Sequence, residues 1–268
     1  MTHCLNSQSQ IEDVDIANDR GFLVGDGVFE TLRVEQGKIL WFEDHLKRLF
    51  LHSEKIQLPL SWQSDCIYQF LNTRIPDKDL YRLRLTVTAG EGGRGYVRPL
   101  QPSPRMFASF TKATISNRLD CLRICPHFVP EYMSSKTLSC LDRILHAPPF
   151  GEEWVMHRKE GYLTEATMAN IFWVRNAVLE TPQLNNALLA GLTRTRVLNL
   201  TADLGIECHE GNYDKQLLFD ASEIFLTGTV SGIVRVEKLE NQILSERSIT
   251  DRIQQGYQQL IEKELTLP

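Results

Sequence analysis

Lys136 is a residue of this sequence that could do covalent chemistry. It lies in the segment YMSSKTLSCLDR, between small hydroxyl residues and the start of an apolar helix. A lysine in a soluble protein is nearly always a solvated surface residue. A partly desolvated lysine, however, has a lowered pKa, and its amine is then a nucleophile. The setting makes Lys136 a candidate nucleophile, with an ordinary surface lysine as the alternative.

Other segments carry groups that suit an anionic or ionisable ligand, although each has a simpler interpretation. Glu165, in GYLTEATMANIFWV, precedes a predicted strand and is either a turn residue or a functional carboxylate. LLAGLTRTRVL brings a Gly and a Thr to a helix start, where N–H groups and the helix dipole favour phosphate. An ordinary helix capped by Thr193 explains the same residues, and it is the preferred interpretation when this motif is considered by itself.

Two more segments complete this set. EIFLTGTVSGIVRV ends a buried strand at Thr227, Gly228 and Thr229, which form either a phosphate-binding loop or a tight turn. DHLKRL places Arg48 on a predicted helix, as a surface residue or as a phosphate ligand. Histidines are the rival catalysts, and for His45, on the same helix, packing or a hydrogen bond is the preferred role over catalysis.

The apolar pattern predicts the elements that must position these residues. Val28 to Val34 and residues 39–41 form a hairpin around Gly37, and a helix starts near Glu43. A second helix is expected after Ser61 as its cap, and YRLRLTVTA alternates as a strand. The polar segment 111–117 reads as a linker. We therefore predict two α+β domains, a smaller one over 1–112 and a larger one over 113–268 that carries Lys136.

The bulk properties exclude several classes of protein. The chain has 268 residues, a net charge of −5 and 42% hydrophobic residues, which is ordinary for a globular protein that binds neither nucleic acid nor an anionic membrane. No apolar run reaches the roughly 18–20 residues of a membrane span. The N-terminus lacks the pattern of a secretory signal, so we expect a cytoplasmic protein. Six scattered cysteines predict free thiols and no metal site.

Taken together and in this order, the segments resemble the fold type IV pyridoxal-phosphate enzymes. That family contains branched-chain aminotransferases, D-amino acid aminotransferases and 4-amino-4-deoxychorismate lyases, and the resemblance covers about residues 19–236. It implies pyridoxal 5′-phosphate (PLP) as cofactor, Lys136 as the Schiff-base lysine and Glu165 as the partner of the ring nitrogen. It also implies a homodimer, a two-domain α+β fold with the cofactor in the cleft between the domains, and cofactor-binding residues Arg48, Leu192, Thr193, Gly228 and Thr229.

The loop TAGEGGRGYVRP selects among the reactions of that family. GGRGY looks like the aminodeoxychorismate lyases, and the resemblance implies substrate contacts from Arg94, Tyr96 and Phe29. D-amino acid aminotransferases carry a His two residues after the Arg, where this chain has Tyr96. A dinucleotide fingerprint is the weaker interpretation of these glycines, because no helix follows them. A flexible hairpin tip is the plainest one.

The implied reaction converts 4-amino-4-deoxychorismate to 4-aminobenzoate and pyruvate, a step toward folate. Lys136 would remove the proton from the carbon that bears the nitrogen, and elimination would follow. An amino acid transaminase, D-specific or branched-chain, is the second hypothesis. A non-catalytic protein on the same fold is the third, since Ser139 and Ala190 stand where relatives often have Asn and Pro.

Overall fold

The α+β fold predicted from the sequence is confirmed by the computed structural model of the chain. The residues that the structure describes are 2–128, 135–184 and 187–267. Strands and helices alternate in blocks rather than in a doubly wound order.

Internal contacts divide the chain into two compact units. The first unit comprises Met1–Thr114 with Lys136–Leu141, and the second comprises Ile115–Ser135 with Asp142–Pro268. The sequence analysis assigned Lys136 to the C-terminal domain, whereas its contacts place it in the first unit. The reason is that residues 136–138 form hydrogen bonds with a strand of that unit.

A sheet covered by helices forms the first unit. Its elements are β1 (Thr2–Leu5), β2 (Ile11–Val14), a 3-10 turn (Ile16–Asn18), α1 (Arg20–Val24), β3 (Gly27–Glu35), β4 (Lys38–Ile39), α2 (Phe42–Lys55), α3 (Ser64–Asn72), β5 (Tyr81–Thr88) and β6 (Arg105–Lys112). The strand order over the described residues is β2-β1-β6-β5-β3-β4, and each of these neighbouring pairs is antiparallel.

The alternation in β5 decides which face of that sheet is buried. Leu83, Leu85 and Val87 are fully buried in the core, while the residues between them point to the other face. The predicted β3–β4 hairpin is confirmed, and Gly37 has the positive φ of 79° that its turn requires. The polar face of the sheet is therefore available for function.

The predicted start of the second helix was wrong. The structure begins α3 at Ser64 after Gln63, and Ser61 is not its cap. Trp62 explains the delay, because its indole is buried and its N–H donates to the carbonyl of Asn6 at 2.6 Å. With this anchor, the helix begins two residues later than expected.

Two sheets and two long helices make up most of the second unit. Its elements are β7 (Arg118–Leu119), β8 (Leu122–Phe128), α4 (Leu141–Leu145, which begins at the unit boundary), β9 (Glu153–His157), β10 (Leu163–Ala166), β11 (Asn170–Arg175), β12 (Val178–Pro182), α5 (Leu192–Asp203), β13 (Cys208–Gly211), a 3-10 helix (Lys215–Asp220), β14 (Glu223–Gly228), β15 (Gly232–Val236), β16 (Lys238–Leu239), β17 (Gln242–Ile243) and α6 (Ser248–Thr266).

The strand orders of these sheets over the described residues are β10-β9-β8-β16-β17 and β13-β12-β11-β14-β15-β7. In β11, residues 170–174 are buried without alternation, since the strand lies between β12 and β14. Phe172 stacks on Phe225 of β14, with ring centroids 5.1 Å apart. The predicted helices at 194–204 and 248–265 are confirmed by α5 and α6.

Candidate active site

The backbone of Lys136 is fixed from two sides within the first unit. Its carbonyl accepts from the N–H of Phe29 at 3.0 Å, and the N–H of Leu138 donates to Gly27 at 2.9 Å. Thr137 forms an antiparallel bridge with Val28 of β3. Residues 136–138 thus extend the sheet beside β3, and Lys136 is half-buried rather than a solvated surface residue.

The ring of Phe29 contacts two cations. Nζ of Lys136 lies 4.7 Å from the ring centroid, and the guanidinium carbon of Arg84 lies 3.7 Å from it. Both distances are within the range of a cation–π interaction. Arg84 is on β5, diagonally across from Phe29 in the register of the β3–β5 pair. The polar face of the sheet therefore presents an amine and a guanidinium at one aromatic ring.

Arg48 belongs to a buried charged cluster. Its Nε and Nη2 each donate to a carboxylate oxygen of Glu30 at 2.7 Å, and Nδ1 of His45 lies 3.1 Å from Oε2 of Glu30. Burial alone would raise the pKa of Glu30, but Arg48 and His45 outweigh it and lower the pKa to about 2. Glu30 is therefore ionised and holds Arg48 in a fixed orientation. The role of Arg48 as a phosphate ligand stays a prediction, and the hydrogen bond of His45 goes to Glu30 of β3.

His52, one turn after Arg48 on α2, accepts a hydrogen bond from the backbone N–H of Lys136 at 3.3 Å. The imidazole is buried, and burial lowers its pKa to about 4. That value already includes the positive charges of Arg48, Lys55 and Lys136, which also lower the pKa, and Glu30, which raises it. His52 is consequently neutral near pH 7, which leaves Nδ1 available as the acceptor.

In the second unit, Glu165 is buried on β10, and its carboxylate has several donors. Nη2 of Arg143 lies 3.1 Å from Oε1, and Oε2 accepts from Nδ2 of Asn170 at 3.2 Å and from the N–H of Leu189 at 3.0 Å. An opposite charge and hydrogen bonds to the ionised form both favour a carboxylate. The structure thus shows a buried, oriented acidic group, and its partnership with a ring nitrogen stays a prediction.

Asn170 links Glu165 to the start of α5 and to the end of β14. Asn170 pairs with Thr227 across the strands, and its Oδ1 packs so closely on Gly191 that a Cβ there would lie 2.0 Å away. Gly191 directly precedes Leu192, the first residue of α5. Glu165, the α5 start and the Thr227 segment therefore meet around one asparagine side chain.

The start of α5 differs from the simple capped helix. The N-cap is Gly191, and no side chain caps the helix, so the interpretation of Thr193 as the cap was wrong. Oγ1 of Thr193 instead lies 3.4 Å from the hydroxyl of Tyr257. By helix geometry, the N–H groups of the first turn, including Leu192 and Thr193, have no partner inside the helix. This arrangement suits an anion.

The end of β14 also has polar groups that suit an anion. β14 ends at Gly228, and the half-buried Thr229 follows it in a turn toward β15. Oγ1 of Thr227 is buried and makes no hydrogen bond with the described part of the chain. A polar atom of this kind is rare in a folded protein and indicates a missing partner such as a ligand or water.

The predicted substrate residues Arg94 and Tyr96 lie in the loop between β5 and β6. Both are exposed, and Tyr96 retains 91% of its accessible surface. The backbones of Arg94 and Val97 close a tight turn, with hydrogen bonds of 3.0 Å in both directions. The structure describes their placement, and their contacts with substrate stay predictions.

Sequence analysis missed Glu30, His52, Arg84, Arg143 and Asn170. The alternation of YRLRLTVTA places Arg84 on the polar face of its strand. The alternation does not show that Arg84 lies next to Phe29 of the neighbouring strand. The spacing of Arg48 and His52 on one helix signalled a shared face, but not that Lys136 would lie against it. No local sequence pattern indicates a role for Asn170.

Metal chemistry finds no support in the described residues. Their His, Cys, Asp and Glu side chains form no group of three or more that could hold an ion. All six cysteines are free thiols. Over the same residues, every helix is too short or too polar to cross a bilayer.

Comparison with known proteins identifies the fold and the family. The family model for amino-transferase class IV matches residues 27–239. A protein of Methanocaldococcus jannaschii named "Putative branched-chain-amino-acid aminotransferase" is 30% identical over 86% of this chain and 84% of its own length. The aminodeoxychorismate lyase of Bacillus subtilis is 26% identical over 83% of this chain and 80% of its own.

A solved structure agrees with these matches. The crystal structure of 4-amino-4-deoxychorismate lyase from Pseudomonas aeruginosa superimposes with a TM-score of 0.79 and 25% identity. The match covers 97% of this chain and 98% of that one. Lyases and aminotransferases thus resemble the chain to a similar degree.

Proposed function

The chain belongs to the amino-transferase class IV family, whose cofactor is PLP, and on this premise we propose that it is an aminodeoxychorismate lyase. The reaction converts 4-amino-4-deoxychorismate to 4-aminobenzoate and pyruvate. Relatives with lyase and with aminotransferase names stand at similar identity, so the choice between the reactions rests on this chain's own residues.

Residues of the second unit fit the cofactor. The uncapped first turn of α5 and the unpartnered hydroxyl of Thr227, next to Gly228 and Thr229, suit a phosphate group. Glu165 is an oriented carboxylate suited to a protonated ring nitrogen. Arg48 of the first unit, which is paired with Glu30, is proposed as a further phosphate ligand. When bound, PLP supplies an electron sink for the carbon that loses its proton.

Lys136 is the proposed base and acid of the reaction. Contacts with β3 and His52 fix its backbone, and Phe29 lies under Nζ. We propose that Nζ removes the proton from the substrate carbon that bears the amino group. Loss of the enolpyruvyl group as pyruvate then makes the ring aromatic, and Nζ returns a proton.

The observation that carries the lyase proposal is the guanidinium of Arg84, 3.7 Å from the ring that also contacts Lys136. 4-Amino-4-deoxychorismate has two carboxylates, which two separate cations can bind. Arg84 beside Phe29 and Arg94 in the exposed loop are cations that suit these two groups, by bidentate pairing. Phe29 in addition offers an apolar surface to the substrate ring.

The test is production of 4-aminobenzoate from enzymatically generated 4-amino-4-deoxychorismate by the PLP-loaded protein. The proposal predicts turnover by the wild type, without any added amino acceptor, and none by Lys136→Ala. Absence of product from a protein that carries PLP would contradict the lyase proposal. In the same assay, Arg84→Gln should raise KM. Arg82→Gln changes a neighbouring exposed arginine of β5 and is the matched control.

An amino acid transaminase is the second candidate, favoured by the 30% identity to the Methanocaldococcus jannaschii protein. A transaminase converts its cofactor to the amine form, in a 1:1 ratio, when given an amino donor alone. We expect no such conversion with branched-chain or D-amino acids. A full conversion with any of them, together with no aminobenzoate, would assign the chain to the transaminases.

We also propose a cytoplasmic homodimer. Phe22, Leu23, Tyr96 and Leu100 of the first unit are exposed large apolar side chains, and association with a second copy would cover such surface. Light scattering should give a mass near twice 30.7 kDa, and a monomer mass at micromolar concentration would contradict the proposal.

A further inference from the structure

The guanidinium of Arg20 lies inside the glycine-rich loop between β5 and β6. Its Nη1 donates to the carbonyls of Gly92 and Gly95, both at 3.1 Å, and to that of Val97 at 3.3 Å. The residue is 4% exposed. Backbone carbonyls that converge on one point repel each other unless a donor lies between them, so the cation determines the shape of the loop.

A second contact ties this cation to the body of the first unit. Nε of Arg20 donates to Asp26 at 2.8 Å, and Arg98 pairs with the same carboxylate. Arg98 also donates to the carbonyls of Ile56 and Gln57 after α2, at 2.6 and 2.9 Å. Asp26 thus links Arg20 to Arg98, which in turn holds the loop to the end of α2, and Asp26 keeps a charged partner even when Arg20 is replaced.

Gly93 shows how tightly the loop closes on this cation. A Cβ at Gly93 would lie 2.2 Å from the carbonyl of Val97 and 2.9 Å from Nη1 of Arg20, and its φ is +79°. Gly95 has a comparable φ of +59°, but a Cβ there meets nothing within 4 Å. The two glycines therefore differ in packing and share the positive φ.

We propose that Arg20 is a positioning residue that holds residues 92–97 in one conformation and so presents Arg94 to the substrate. The loop is a preorganised arm rather than a flexible hairpin tip. The link to substrate rests on the proposed function of Arg94. The conformational part rests only on the hydrogen bonds of Arg20, and the two parts are tested separately.

Limited digestion with trypsin tests the conformational part. Within residues 92–98, trypsin has one good site, the Arg94–Gly95 bond, because Arg98 precedes Pro99. Arg20→Lys keeps the charge beside Asp26 and removes the fork that reaches the carbonyls. We expect cleavage after Arg94, followed by mass spectrometry, to become about ten- to a hundredfold faster. Arg235→Lys, a paired arginine of the second unit, is the control and should leave this rate unchanged.

Gly93→Ala and Gly95→Ala form a matched pair inside the loop, where neither change touches the hydrophobic core. Gly93→Ala should accelerate cleavage after Arg94 well beyond Gly95→Ala, because only the former displaces the Val97 carbonyl and Arg20. Equal rates in the wild type, Arg20→Lys and Gly93→Ala would overturn the proposal. This pair also keeps the test valid if Arg20→Lys fails to fold.

Steady-state kinetics test the link to substrate. Arg20→Lys should raise KM for the lyase substrate about tenfold or more and change kcat much less, since Lys136 is untouched. Faster cleavage with an unchanged KM would reject the positioning role while leaving the loop structure established. Absence of lyase activity in the wild type would reject the proposed function, and the digestion result would stand independently of it.

Discussion

The backbone N–H of Lys136 donates to Nδ1 of His52 at 3.3 Å, so the candidate catalytic lysine is attached directly to helix α2. The carbonyl of the same residue accepts from Phe29 of β3 at 3.0 Å. A helix and a strand of one unit therefore fix the peptide of Lys136 on both sides. An amine whose backbone is held in this way loses less freedom when it reacts.

His52 predicts a specific acid sensitivity. Its pKa is about 4 in the folded chain and ordinarily 6.5, so the unfolded chain binds a proton over this range and the folded chain does not. The free energy of unfolding should fall by up to about 3 kcal/mol as the pH drops from 6.5 to about 4. Denaturant unfolding of the wild type and His52→Asn at several pH values measures this contribution.

The variant should lose that part of the pH dependence, because Asn does not titrate. His3→Asn replaces an exposed histidine and is the control, since folding does not bury that ring. An identical pH profile for the wild type and His52→Asn would contradict the buried neutral imidazole.

Glu30 predicts a large loss of stability on neutralisation. Glu30→Gln removes the charge that faces Arg48 and leaves a buried guanidinium without its carboxylate. Breaking a buried pair from one side costs about 3–5 kcal/mol. Glu35→Gln, which changes a half-buried carboxylate paired with the buried Arg33, should cost less, roughly 1 kcal/mol. Equal losses in the two variants, measured by denaturant unfolding, would refute this account of the cluster.

Gly191 predicts a link between the α5 start and Glu165. In Gly191→Ala the new Cβ would lie 2.0 Å from Oδ1 of Asn170, which must move and disturb its bond to Glu165. We expect PLP affinity, measured by fluorescence titration of the apoprotein, to fall about tenfold or more. Gly205 lies just after the other end of α5, where a Cβ would meet nothing within 4 Å. Gly205→Ala should therefore leave PLP affinity unchanged. Similar PLP affinities in the two variants would contradict a link between the α5 start and Glu165.

Arg84 predicts a defect in substrate binding rather than in cofactor binding. Arg84→Gln removes the cation that contacts Phe29 and, in our proposal, pairs with a substrate carboxylate. KM for the lyase substrate should rise about ten- to a hundredfold, because a hydrogen bond to a charged group is lost. The PLP absorption spectrum should stay that of the wild type. A normal KM in Arg84→Gln would exclude the residue from the substrate site.

Periodicity was enough to predict most elements of the fold. The alternation of YRLRLTVTA, the apolar faces of α2 and α6, and Gly205 after α5 are local signals, and the structure contains all four elements. The start of α3 was missed because the buried Trp62 forms a tertiary hydrogen bond to Asn6, which no local pattern encodes. Helix boundaries of this kind are decided by packing.

The candidate site was predictable as a set of motifs and not as a set of contacts. Lys136, Glu165 and Thr193 were proposed because their segments resemble a family. The side chains that orient them were not found, since Asn170 and Gly191 are 21 residues apart and meet only through packing. The position of Lys136 in the first unit was also missed, because its strand-like pairing with β3 crosses more than a hundred residues of sequence.

The most direct test of the central claim, that Lys136 carries the cofactor, is borohydride reduction of the PLP-loaded protein followed by peptide mapping. Our account predicts loss of the visible absorption band and one phosphopyridoxyl adduct, located on the peptide that contains Lys136. Lys136→Ala should give no adduct even where it still binds PLP. An adduct on any other lysine of the wild type, or bound PLP that borohydride does not attach to the chain, would contradict the assignment.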